Sequence, residues 1–250
     1  MSPRLRFAIE TAILAGKSTL PYFQTRTPVE IKADQTPITA ADRLAERTIR
    51  ERLAVEYPDE AILGEEEGAS GAGHRRWVLD PIDGTKSFVS GVPLYATLLA
   101  FEEERQVQLG VCYFPALNEL VYAEEGGGTF WNGVQAHVSE RTTLDGSVIA
   151  SGSATSMAKA GRLQGFRAIE DRVLASRTWG DAYGHSLVAT GRVDAMIDPI
   201  VAPWDIAAMS VIVREAGGAF TDFSGREERG LEAISSNGLV HTEILEAFQS

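Results

Sequence analysis

The sequence predicts an α+β protein made of two sheet-and-helix halves packed together, with the junction near residue 140. Three observations carry that expectation. Two stretches before Pro58 have the apolar spacing of amphipathic helices. Residues 95–138 hold short β-type runs separated by tight turns, as in an antiparallel meander. After about residue 145, strand-like and helix-like segments alternate. Residues 1–140 are therefore expected to form one half and residues 141–250 the other. With no internal repeat and no long linker, the two should behave as a single unit.

The elements follow in order. Residues 4–23 place Phe7, Ile9, Ala12, Leu14 and Ala15 along one helical stripe. A loop with Pro28 and Pro37 follows, and Thr39 opens a second helix with Ala45, Ile49 and Leu53 at i, i+4, i+8. Residues 61–63 and 77–79 read as strands, and the Gly- and charge-rich gap 67–76 as a mobile loop. The meander comprises residues 95–101, 107–113 and 119–123. Asn132-Gly133 signals a hairpin between 129–131 and 136–138. Then come strand 148–150, helix 182–190 ending at Gly191, strand 194–197, helix 204–216, strand 219–221 and a terminal helix 241–248.

Composition narrows the function classes. Of the 250 residues, 44% are hydrophobic and 23% charged, which suits a globular chain. Lys and Arg total 23 against 35 Asp and Glu, a net charge of −12. Such a chain lacks the basic face that nucleic acid or an anionic membrane requires. The lone cysteine, Cys112, sits in an apolar run and reads as a core residue rather than a nucleophile. No apolar run approaches 18 residues and no signal peptide is evident, so a cytoplasmic location is expected. The four histidines show no metal-ligand spacing, and His185 reads as a structural residue of its helix.

The chemistry lies in four acidic segments. In Trp77-Val-Leu-Asp-Pro-Ile-Asp-Gly-Thr85 an apolar strand delivers Asp80 and Asp83 at its carboxyl end. Pro81 stops the ladder and Gly84 permits a tight turn. Two carboxylates converging there repel unless a cation lies between them, and the N–H groups of Gly84 and Thr85 offer an anion nest. A calcium-binding EF-hand loop is excluded, because its twelfth position is Gly91. An aspartyl-phosphate nucleophile two residues before the other aspartate is excluded by Pro81, and no Walker loop exists. Glu65 or Glu66, after the strand 61–63, could complete a cation site. Asp205 follows Pro203 and Trp204 at a helix start, where it also complements the helix dipole. Asp42 stands three residues after Thr39, which equally describes a capping box.

Together these segments resemble the inositol monophosphatase superfamily of magnesium-dependent, lithium-sensitive phosphatases. The motifs occur in the family's order: Lys32, Thr39…Asp42, Gly64-Glu65-Glu66, Asp80-Pro-Ile-Asp-Gly-Thr85, Trp204-Asp-Ile-Ala-Ala208 and Glu215-Ala-Gly-Gly218. The resemblance implies a layered α-β-α-β-α sandwich and a homodimer. It places metal ligands at Glu65, Asp80, the Ile82 carbonyl, Asp83 and Asp205, and a phosphate cradle at Asp83, Gly84 and Thr85. Glu65 and the pair Thr85 and Asp42 would serve the attacking water. It further implies two or three Mg²⁺ per active site, Mn²⁺ as an alternative, Li⁺ inhibition and a small phosphorylated substrate.

Two further segments, Arg177-Thr-Trp-Gly-Asp-Ala-Tyr-Gly184 and Asp194 to Asp205, resemble the histidinol-phosphate phosphatases of that superfamily. Inositol phosphatases typically carry small residues where Trp179-Gly-Asp181 stands and a glutamate aligned with Asp198. The resemblance turns Asp181 and Asp198 toward the organic part of the substrate, and carboxylates suit a cationic head group. Trp179 could stack on an imidazole, and Arg177 could hold phosphate or the aspartate pair. A helix cap, an Asp-Pro turn, a packing tryptophan and a surface arginine are the structural alternatives for these four.

Overall fold

The computed structural model describes residues 1–33, 35–227 and 230–249. Helix α1 (Pro3–Thr19) begins where Ser2 Oγ accepts the Leu5 N–H at 3.1 Å, with proline in its first turn. A short antiparallel hairpin, β1 (Val29–Ile31) and β2 (Pro37–Thr39), follows where the sequence suggested only a loop. Helix α2 (Ala40–Glu56) starts at the Thr39 capping box. Strands β3 (Ala61–Gly64), β4 (Gly68–Ser70) and β5 (Arg75–Asp83) lead to a five-residue helix, α3 (Thr85–Val89). The meander comprises β6 (Ala96–Glu103), β7 (Gln106–Phe114), β8 (Glu119–Glu124), β9 (Gly128–Trp131) and β10 (Val134–Ala136). Beyond it lie β11 (Val148–Ser151), α4 (Ala154–Lys159), α5 (Leu163–Glu170), β12 (Ala175–Arg177), α6 (Asp181–Ala189) and β13 (Ala195–Asp198). The chain closes with α7 (Pro203–Glu215), β14 (Ala219–Thr221), β15 (Ala233–Ser236) and α8 (His241–Ala247).

Two sequence expectations shift. The segment 67–76 is not wholly loop, because β4 pairs antiparallel with β3 and Arg50 Nη2 donates to the Gly68 carbonyl at 2.6 Å. The strand after Asn132-Gly133 begins at Val134 rather than Ala136. Both turn residues have positive φ, and this two-residue turn pairs Trp131 directly with Val134.

Strands β3 to β10 form one eight-stranded sheet, ordered β10-β9-β8-β7-β6-β5-β3-β4. The second sheet has five strands, ordered β12-β11-β13-β15-β14. The alternation of side chains along β5 explains the layering. Trp77 and Leu79 pack with Leu5, Ala12, Ile49 and Leu53 of α1 and α2. Val78, from the opposite face, joins a core with Leu187 and Val188 of α6 and Ile206 to Val213 of α7. Ala150, Met196 and Ala233 of the second sheet close that same core from the far side. The other face of the second sheet, with Ile149, Ala195, Ile197 and Ile234, packs on Met157, Phe166, Ile169 and Ile244 of α4, α5 and α8. The result is an α-β-α-β-α sandwich. Each large apolar side chain buried this way contributes roughly 1.5–3 kcal/mol. Three apolar layers thus fix the strand ends from which the acidic side chains project.

Candidate active site

In a regular strand, residues three apart point to opposite faces, so Asp80 and Asp83 would diverge. They do not, because the ladder between β5 and β6 slips: Asp80 pairs with Leu98, whereas Asp83 pairs with Ala96. One extra residue on β5 makes a bulge that re-aims the carboxylates. Pro81 has no N–H to lose there, and its carbonyl accepts the Thr97 hydroxyl at 2.8 Å. The Ile82 N–H donates to Asp80 Oδ1 at 3.0 Å, which holds that side chain over the turn. Gly84 follows with φ +79°, and a Cβ there would lie 3.1 Å from Asp181 Oδ2 and 3.2 Å from the Leu94 carbonyl.

Asp205 approaches from α7. Its Oδ2 accepts the Ala202 N–H at 2.7 Å, so one oxygen caps the helix while the carboxylate still faces Asp80 and Asp83. Each of these three aspartates offers an oxygen within 4.8 Å of the others. Burial first, and then neighbouring carboxylates, pushes Asp80 and Asp83 well above the usual carboxylate range; burial, with the charges of Glu65 and Asp181, pushes Asp205 up to about 7 although the Ala202 N–H and Asp80 oppose it. An all-oxygen, anionic, largely buried donor set is the kind that fits a hard divalent cation such as Mg²⁺.

Glu65 and Glu66 both meet Lys32, whose Nζ lies 2.8 Å from Glu65 Oε1 and 3.2 Å from Glu66 Oε1. Burial alone would lower the Lys32 ammonium, but these two carboxylates hold it above its ordinary value. Glu65 is the member of the pair whose charge bears on Asp80 and Asp205. The Glu66 side chain is the more enclosed, and burial followed by the Glu65 charge pushes it up to about 7. Asp42 is fully buried; its Oδ2 accepts both the N–H and the hydroxyl of Thr39, at 2.7 and 2.6 Å. Its Oδ1 accepts nothing. Thr85 does not bond Asp42: its hydroxyl donates to the Ile82 carbonyl at 3.0 Å.

A cavity of about 340 Å³ opens beside the cluster, with Asp83, Lys86, Asp181, His185, Asp198 and Asp205 in its wall. A larger groove, about 570 Å³, runs between α1 and α2; Glu10, Glu51 and Glu56 line it, but among the described residues they form no metal-type cluster. Asp181 presents its surface to the cavity mouth yet is closely ringed by protein, which raises its carboxyl; Lys86 opposes that shift. Its backbone is left-handed, with φ +57°, a conformation that costs a non-glycine residue roughly 1–2 kcal/mol. Asp198, half-buried, is pushed up to about 7 by burial and then by the charges of Asp181 and Asp205.

Arg177 and Trp179 fall outside this wall. Arg177 is exposed and its Nη1 donates to the Ser176 carbonyl at 2.8 Å, while Trp179 is 37% exposed. Conversely, sequence reasoning passed over Lys86, whereas His185 was read as a structural histidine, and its buried hydrogen bond to Ser235 agrees with that. Lys86 directly follows Thr85 in a segment already singled out, and nothing in its spacing marked it. His185 is buried on α6, bonds Ser235 Oγ through Nδ1 at 2.8 Å, and is pushed down to about 3 by burial. It therefore meets the cavity as a neutral ring.

The fold and a cluster of three aspartates that could hold a metal ion are those of a phosphatase family that is generally metal-dependent. The chain belongs to the inositol monophosphatase family, which matches residues 1–250. It is 42% identical over 252 residues to a histidinol-phosphatase of Chlorobaculum parvum, covering 99% of this chain and 97% of that one. It is 40% identical to a fructose-1,6-bisphosphatase/inositol-1-monophosphatase of Thermotoga maritima, covering 97% and 94%. The solved structure of extragenic suppressor protein suhB from Bartonella henselae superposes with a TM-score of 0.93 at 30% identity, covering 100% and 99%.

Proposed function

We propose that this phosphatase hydrolyses L-histidinol phosphate to L-histidinol and phosphate in histidine biosynthesis, with Mg²⁺ as cofactor. The observation that carries the reading is the pair Asp181 and Asp198, set in the cavity wall beside the Asp80, Asp83 and Asp205 cluster. An ammonium and an imidazole on the substrate match two carboxylates in the cavity wall, Asp198 half-buried and Asp181 at its mouth. The histidinol-phosphatase relative supports the same choice.

When bound to Asp80, Asp83, Asp205, Glu65 and the Ile82 carbonyl, Mg²⁺ would polarise the phosphoryl oxygens and acidify a water. Asp83, Gly84 and Thr85 cradle the phosphate at the turn. Glu65 would take the proton of the attacking water, with Thr85 and Asp42 helping to orient that water. That water's oxygen bonds phosphorus, the ester P–O bond breaks, and the departing alkoxide takes the proton that Glu65 accepted, through water, to become the alcohol. No covalent enzyme intermediate is required. Asp181 and Asp198 orient the head group so that the ester oxygen lies in line. The same reading takes the enzyme as a cytoplasmic homodimer, with sedimentation velocity as the test of assembly.

A second reading, inositol 1-phosphate or another small sugar phosphate, is favoured by Lys86, whose positive charge bears on both Asp181 and Asp198. A cation already in the wall competes with a cationic head group and suits hydroxyls. The deciding experiment compares kcat/KM for histidinol phosphate and inositol 1-phosphate side by side with Mg²⁺. A preference of 100-fold or more for histidinol phosphate, about 2.7 kcal/mol, is expected. Equal rates, or the reverse preference, would overturn the assignment.

A further inference from the structure

Glu46 is a fully buried carboxylate on the apolar face of α2, one turn after Asp42. A buried charge of this kind needs full compensation, and its partners are specific. Its Oε2 accepts the backbone N–H of Glu66 at 2.9 Å, and its Oε1 accepts that of Glu67 at 3.1 Å. Arg50, one further turn along, donates Nε to the same Oε1 at 2.8 Å. The Arg50 guanidinium then reaches beyond it, to the Gly68 carbonyl at 2.6 Å and Ser70 Oγ at 3.0 Å. Gly64 is glycine for the same reason: a Cβ there would stand 2.2 Å from Glu46 Oε1.

Every residue from Glu66 to Ser70 except Ala69 is thus gripped by one of two side chains of a single helix. That helix also carries Asp42, whose carboxyl feels the charge of Glu65. We propose that Glu46 and Arg50 are positioning residues for the phosphatase reaction: they clamp the backbone of the Glu65–Glu66 turn to α2, so that Glu65 and Asp42 are presented to the cation cluster in one fixed relation. The clamp acts through the peptide groups of Glu66, Glu67 and Gly68 and the Ser70 hydroxyl. A carboxylate is required because both oxygens must accept, and the glutamine amide would turn an N–H toward a backbone N–H.

The test uses the whole protein with Glu46→Gln, and Glu51→Gln on the exposed side of α2 as control. Amide hydrogen exchange at Glu66 and Glu67 reads the clamp directly, and electron paramagnetic resonance with Mn²⁺ alone reads the cation site. Expected in Glu46→Gln are a tenfold or greater loss of amide protection, at least fivefold weaker Mn²⁺ binding, and kcat down tenfold with KM within twofold. Glu51→Gln should change none of these. If Glu46→Gln does not fold, Arg50→Lys keeps the charge but loses the reach to Gly68 and Ser70, and should give the same pattern more weakly. Mn²⁺ affinity and kcat within twofold of the parent, despite freed amides, would overturn the proposal. So would a rise in KM as large as the fall in kcat. Any hydrolysable phosphate monoester serves for the rates, so failure here is separate from failure of the substrate assignment.

Discussion

Asp83 Oδ2 accepts the backbone N–H of Ala182 at 2.7 Å, across 99 residues of sequence. This bond joins the end of β5 to the first turn of α6. It therefore locks the acidic turn of the first sheet to the element that carries Asp181. Charge on Asp83 is favoured by that N–H and by the positive end of α6, against the burial that opposes it. The acidic turn and the cavity wall are thus joined directly through this bond.

Asp80→Asn should abolish turnover while leaving the fold intact. Without metal, the variant should be the more stable protein, because it removes a buried carboxylate that the charges of Glu65, Asp83 and Asp205 oppose. A gain of about 1 kcal/mol corresponds to a rise of about 2–4 °C in Tm for a chain of this size. Calorimetry in EDTA and a phosphate-release assay in Mg²⁺ measure the two halves of this prediction. Activity near the parent's would remove Asp80 from the cation site.

The pH dependence of the metal-free protein follows first from burial of the site carboxylates and then from the charges around them. Asp198 and Asp205 have folded values raised from 3.8 to about 7. Between those values the folded state binds protons that the unfolded state has released, so stability falls as pH rises from about 4 through about 7. In EDTA, Tm should therefore drop between pH 5 and pH 8. Added Mg²⁺ should restore it at pH 8 and do little at pH 5, where protons occupy the carboxylates. A Tm that climbs with pH in EDTA would contradict this.

Gly84→Ala tests the turn. A φ of +79° strains any side chain by roughly 1–2 kcal/mol, and the added Cβ meets Asp181 Oδ2 and the Leu94 carbonyl. Urea unfolding should show a loss of at least that size, and kcat should fall more than tenfold. A neutral outcome would mean that the turn and Asp181 can separate freely.

Asp198→Asn should reduce kcat/KM for histidinol phosphate by at least tenfold more than for inositol 1-phosphate. On the proposed reading, the lost charge is the one that meets the head group rather than the phosphate. Equal losses for both would mean that Asp198 does not read charge.

Much of the site was legible because its chemistry is local. The Asp-Pro-Ile-Asp-Gly-Thr turn carries its own proline, glycine and carboxylates, and Thr39 with Asp42 forms its own cap. Glu46 escaped notice although a signal existed: an acid at i+4 from Asp42, on the stripe of Ala45, Ile49 and Leu53, where a solvated glutamate does not belong. The hairpin β1–β2 and strand β15 were missed because short strands gain their stability from neighbours distant in sequence rather than from propensity. Arg177 and Trp179 were candidates by resemblance, yet the cavity wall is built without them.

The sequence by itself determined the donor chemistry: all-oxygen ligands, an acidic chain, a glycine turn after a proline-stopped strand, and the order of segments along the chain. Only the tertiary structure decided their convergence. The slipped pairing between Asp80 and Asp83 exists only where β6 supplies a partner. The Asp83 contact to Ala182 exists only once the two sheets enclose α6 and α7. The Glu46 grip on Glu66 and Glu67 exists only when α2 lies on β3 and β5. Residue types and spacings are properties of a few consecutive positions, whereas the distance between carboxylates 125 residues apart, as Asp80 and Asp205 are, is set by how whole apolar layers pack.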